Sequence, residues 1–86
     1  MNQFTPHHIQ ELILIRAQEV HEGLRAVLAV RSQKTVLLDL NDMDNVQAQR
    51  TADFVSGGIR ALDGNQQRLG EHVYLFTPAG VSVTLS

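Results

Sequence analysis

The chain has 86 residues, a formal net charge of −2, no cysteine and 43% hydrophobic residues. These values describe one globular domain. They exclude a disulfide scaffold or thiolate metal site and give no support to a charge-driven polyanion binder. A chain this short buries only about 60–65% of its unfolded surface, so a partner subunit would add stability.

Residues 1–10 are polar, contain Pro6 and the pair His7-His8, and predict a loose lead-in to a domain over residues 11–86. Glu11–Arg16 is an apolar run bounded by charges and predicts a strand whose two faces, Leu12/Leu14 and Ile13/Ile15, both want cover. It is too short for a secretory signal, and no run approaches the ~20 apolar residues that span a bilayer. From Glu19 to Arg31 the period changes, with Val20, Leu24, Val27, Leu28 and Arg31 at helical spacing. Gly23 costs that helix about 1 kcal/mol. Thr35–Leu40 predicts a second strand.

Asp44 with Gln47 three residues later predicts the start of a second helix, and Ala48, Ala52, Val55, Ile59 and Leu62 form its core stripe. Gly64 predicts a left-handed residue just past its end. Gln66–Leu69 and Val73–Thr77 predict two more strands, Thr77–Gly80 a type I turn, and Val81–Leu85 a final alternating strand. The order is β-α-β-α-β-β-β. It predicts an α/β (α+β) two-layer sandwich, a four- to five-stranded mixed sheet with two helices on one face. Two helices leave the second sheet face bare, which predicts a homodimer.

Asp39, Asp42 and Asp44 lie within six residues but lack the calcium-loop spacing, so helix capping is the expected role. The four histidines have no diagnostic ligand spacing, and no nucleophile–base set is recognisable. The expectation is therefore no catalysis, no metal and no cofactor. Tyr74 and Phe76 mimic the aromatics of an RNA platform, but the charge balance does not follow, and core packing is expected. Ser56-Gly57-Gly58 lies inside the second helix, where two glycines cost roughly 2 kcal/mol together. Phe54, Gly57, Gly58 and Ala61 form a flank of small residues with one aromatic, open to a helix or peptide; the competing expectation is a tolerated glycine pair with Phe54 tucked at the core edge.

Gln47-Ala-Gln-Arg-Thr-Ala-Asp-Phe-Val-Ser-Gly-Gly58, Ala61-Leu-Asp-Gly-Asn-Gln-Gln-Arg-Leu-Gly70, Val73-Tyr-Leu-Phe-Thr-Pro78 and Val81-Ser-Val83 together resemble the SepF family of bacterial cell-division proteins. The likeness runs from about Thr35 to Val83. The first third matches only in outline. It implies a cytoplasmic adaptor at the division septum, on the inner face of the membrane, that binds the C-terminal peptide of FtsZ, dimerises and polymerises. Membrane attachment would come through an N-terminal amphipathic helix absent from this sequence. By position, the resemblance implies peptide contact at Arg50, Phe54 and Tyr74. Gln49 stands where many relatives have Lys. It implies self-assembly at Gly57, with Gly58 and Ala61 beside it. The main alternative is an ACT-like small-ligand regulatory domain, which would want a glycine loop after the first strand; Arg16–Glu19 has none.

Overall fold

The computed structural model describes residues 11–81. The expected lead-in and nearly all of the strand expected over Val81–Leu85 lie outside them. Four strands, β1 (Leu12–Arg16), β2 (Thr35–Asp39), β3 (Asn65–Gly70) and β4 (Val73–Thr77), form one mixed sheet in the order β1-β2-β4-β3. β1 is parallel to β2, whereas β4 is antiparallel to both β2 and β3. Two helices, α1 (Gly23–Arg31) and α2 (Asn45–Ala61), cover one face.

Strand alternation decides what those helices meet. Ile13 and Ile15 pair with Val36 and Leu38, which pair in turn with Phe76 and Tyr74, so these side chains share the helix-covered face. Ala26 and Val30 of α1 and Ala48, Ala52, Val55 and Ile59 of α2 close the core over them. The opposite face carries Leu12, Leu14, Leu37 and Leu75. At its β1 end Leu12 and Leu14 are 61% and 66% exposed.

Helix starts and stops follow local chemistry. The segment expected as one helix from Glu19 opens as a 3-10 turn, Val20–Glu22, before α1 begins. The Glu22 carboxylate accepts the N–H groups of Gln18 and Glu19, both at 2.7 Å. Those bonds hold its pKa below the ordinary value. Asp44 caps α2 by accepting the Gln47 N–H at 2.8 Å. Thr51, fully buried in α2, returns its hydroxyl to the Gln47 carbonyl at 2.8 Å and so brings no unsatisfied donor into the core.

Two turns differ from expectation by one residue. The left-handed residue after α2 is Asp63 (φ 58°), not Gly64. Gly64 is required for a different reason: a Cβ there would lie 2.6 Å from the Thr77 carbonyl oxygen and 2.9 Å from Ile59 Cγ2. The turn after β4 closes by the Val81 N–H to the Pro78 carbonyl, so Pro78 is its first residue. Gly80, third in that turn, has φ 79°, the mark of a type II turn and not type I. Because the Thr77 carbonyl is backbone and cannot swing away, Gly64→Ala is expected to destabilise the fold by about 1–3 kcal/mol. A thermal or urea melt of the variant against the parent checks this.

Candidate functional site

Both helices run in the same direction and touch through glycine. A Cβ on Gly23 would fall 2.8 Å from Val55 Cγ2 and 3.1 Å from Thr51 Cγ2, and one on Gly58 would fall 2.8 Å from Val27 Cγ2. Gly58 therefore serves the contact of α2 with α1 inside the same chain. One of the four residues of the expected flank, Gly58, is thus already taken by the protein's own helix.

The other three, Phe54, Gly57 and Ala61, face outward. Val46, Arg50, Phe54, Gly57 and Ala61 follow one another at spacings of four, four, three and four, and all are exposed. Val46 is 63% and Phe54 47% exposed. Phe54 is nonetheless anchored, because its Cδ2 lies 3.4 Å from where a Gly23 side chain would begin. Arg50, one turn before Phe54, makes no ion pair among the described residues. Among the described residues nothing lies within 4 Å of the space a Gly57 side chain would take. The stripe thus offers an apolar anchor, a cation beside it and a flat segment beyond.

Tyr74 does not join this stripe. It is 6% exposed and sits in the core, its ring stacked on Phe76 at 6.0 Å between centroids. Alternation along β4 puts it on the helix-covered face with Phe76, and strand register puts Arg68 of β3 opposite it. The Arg68 guanidinium lies 5.6 Å from the ring centroid and donates to the carbonyls of Gly70 and Glu71 at 3.1 and 2.7 Å. At this position solvent meets Arg68 in place of the tyrosine. Only strand register could have placed Arg68 there.

The acidic run is structural. Arg16 stands between Asp39 and Asp42 at 3.6 and 3.7 Å, while Asp39 also accepts the Asn41 N–H at 2.9 Å and its side-chain amide at 2.8 Å. The Asn41 backbone bond is the chief cause that keeps the Asp39 pKa below its ordinary value. Among the described residues no group of three His, Asp or Glu could hold a metal ion. The loop after β1 spends its amides internally, Ala17 on Asp39 and Gln18 and Glu19 on Glu22, which leaves few donors for a small ligand.

The family model for the cell division protein SepF matches residues 13–83. The chain belongs to the SepF family. It is 46% identical over 76 residues to a cell division protein SepF of Trichormus variabilis, an alignment that covers 88% of this chain and 38% of that one. With the SepF of Prochlorococcus marinus the identity is 47%, over 88% of this chain and 40% of the relative. The chain thus spans about two fifths of the length of these SepF relatives. Among solved structures, a SepF-like protein from Pyrococcus furiosus superposes with a TM-score of 0.74 at 12% identity, covering 88% of this chain and 95% of that one. SepF from Methanobrevibacter smithii, solved in complex with FtsZ-CTD, gives 0.63 at 18% identity, with 88% and 99% covered. At such identities these two likenesses establish the SepF fold.

The two helical glycines should separate by experiment. Gly58→Leu drives a side chain into Val27 and is expected to cost about 1–3 kcal/mol. Gly57→Leu meets open space and should leave stability unchanged or raise it by up to about 1 kcal/mol through helix propensity. Parallel denaturant melts read both.

Proposed function

We propose that this domain is the FtsZ-binding core of a cell-division adaptor, and that the α2 stripe receives the C-terminal peptide of FtsZ. The observation that carries the reading is Phe54, a large aromatic left half exposed one turn from Arg50 on a SepF fold. An apolar anchor flanked by a cation suits a short amphipathic segment with an acidic residue. The complex of the Methanobrevibacter smithii protein with FtsZ-CTD supports the choice of partner. Tyr74 then contributes from below, by holding Arg68 in place, and not by touching the peptide.

The domain pairs with a second copy through the sheet face that bears Leu12, Leu14 and the half-buried Leu37, where Leu12 and Leu14 meet solvent. Higher assembly uses Gly57 and Ala61, which are open, with Gly58 giving the close helix packing behind them. These contacts suit a cytoplasmic protein that aligns FtsZ filaments at the septum, with the membrane held by a separate segment. No helix among the described residues is long and apolar enough to cross a membrane. The role is adaptor, not catalyst.

A labelled FtsZ C-terminal peptide should show saturable fluorescence anisotropy with the domain, and a scrambled peptide should not. Phe54→Ala is expected to weaken binding by more than about 1 kcal/mol. Binding unchanged by that substitution would move the site off α2. Light scattering should give a dimer mass. Gly57→Lys should leave that mass in place while removing sedimenting polymer.

A further inference from the structure

The sheet ends at β1, and among the described residues no strand pairs with its outer edge. Two bonds bracket this strand, from the Thr35 N–H to the Glu11 carbonyl at 3.0 Å and from the Ala17 N–H to the Asp39 carbonyl at 3.1 Å. In a parallel pair, alternate residues turn their peptide groups toward the neighbour. Glu11, Ile13, Ile15 and Ala17 therefore face β2, and Leu12, Leu14 and Arg16 turn their N–H and C=O groups to the free edge.

On the helix side of this edge lies a groove of about 320 Å³, walled by Ile13, Ile15, Leu28 and Ala29 and by the cations Arg25 and Lys34. Among the described residues no carboxylate lines it. Lys34 has one ionic contact, with Glu11 at 3.9 Å, between side chains 38% and 65% exposed, a pairing worth little. Arg25 makes no ion pair among the described residues. Nearby Glu22 is turned to the backbone amides of Gln18 and Glu19. On the other side of the edge Leu12 and Leu14 stand exposed.

We infer that the β1 edge is a second docking site, which takes an extended segment of alternating apolar and acidic residues from a partner protein as an added strand. Its main chain would bond to the outward groups of Leu12, Leu14 and Arg16. Side chains on its helix side would enter the groove over Ile13, Ile15 and Leu28, with carboxylates beside Arg25 and Lys34, while Leu12 and Leu14 on the other face stay with the second copy. A second copy of β1 fits less well, because Leu12–Arg16 brings another cation and no carboxylate to the groove. The site is independent of the α2 stripe and stands or falls apart from it.

The test is a titration of the 15N-labelled chain with the capped hexapeptide Val-Glu-Val-Glu-Val-Glu, its Lys counterpart and phosphatidylglycerol vesicles. The Glu peptide should shift the amides of Leu12, Leu14 and Arg16 and slow their hydrogen exchange by about tenfold, and the Lys peptide should not. Leu14→Pro deletes an outward donor that β2 does not use, a position where an edge strand tolerates proline, and should weaken binding by about tenfold. The double change Arg25→Glu with Lys34→Glu lies on the surface and should reverse the preference to the Lys peptide. Equal response to both peptides, no response, shifts confined to α2, or binding unaffected by both variants would overturn the inference. So would protection of these amides by vesicles and not by peptide.

Discussion

The close contact between α1 and α2 sets the character of the whole helical layer. Gly23 seats the start of α1 against Thr51 and Val55, and Gly58 lets Val27 settle onto α2 one turn later. Each glycine sacrifices about 1 kcal/mol of helix propensity, offset by the many dispersion contacts that close approach permits. Since one flank of α2 is committed to α1 and a second to the sheet, the third must face water. Arg50, Phe54, Gly57 and Ala61 occupy that third flank. The candidate peptide surface thus follows from how the helices are forced together, and Phe54 belongs to both: one ring atom lies against Gly23 while nearly half of the side chain meets solvent.

The sheet has two unlike edges. β3 is exposed along its whole length, polar over Asn65–Arg68, and irregular between Arg68 and Gly70, where Arg68 folds back onto the carbonyls of the following turn. Polarity and a bulge are how natural sheets discourage edge pairing. β1 has neither: it pairs in regular register with β2, and four of its five residues are Leu or Ile. Among the described residues one edge is guarded and the other is not, while the central strands β2 and β4 supply the core on one face.

Charge is spent mainly on local geometry. Arg16 ties the end of β1 to Asp39 and Asp42, Glu22 closes the turn before α1, and Asp44 starts α2. A residue bonded in this way has little left for a partner. Arg50 on α2 and Arg25 beside the β1 groove make no ion pair among the described residues, and both stand next to exposed apolar surface.

Sequence periodicity alone determined the element order from Leu12 to Thr77, the core stripe of α2 and the two-layer class, because apolar spacing of two or of 3.6 residues is a local property. The motifs from Gln47 to Val83 also determined the family. What the sequence could not resolve depended on atoms distant along the chain. Gly64 reads as a left-handed cap until the Thr77 carbonyl is seen lying against it. Gly58 reads as open surface until Val27 is placed, and the peptide contact that the resemblance implies for Tyr74 stands until strand register sets Arg68 over its ring. The edge of β1, unpaired among the described residues, is visible only once the strand order is known. Tertiary structure made these choices, because excluded volume between remote segments and the pairing of strands are properties of the folded chain and not of any stretch within it.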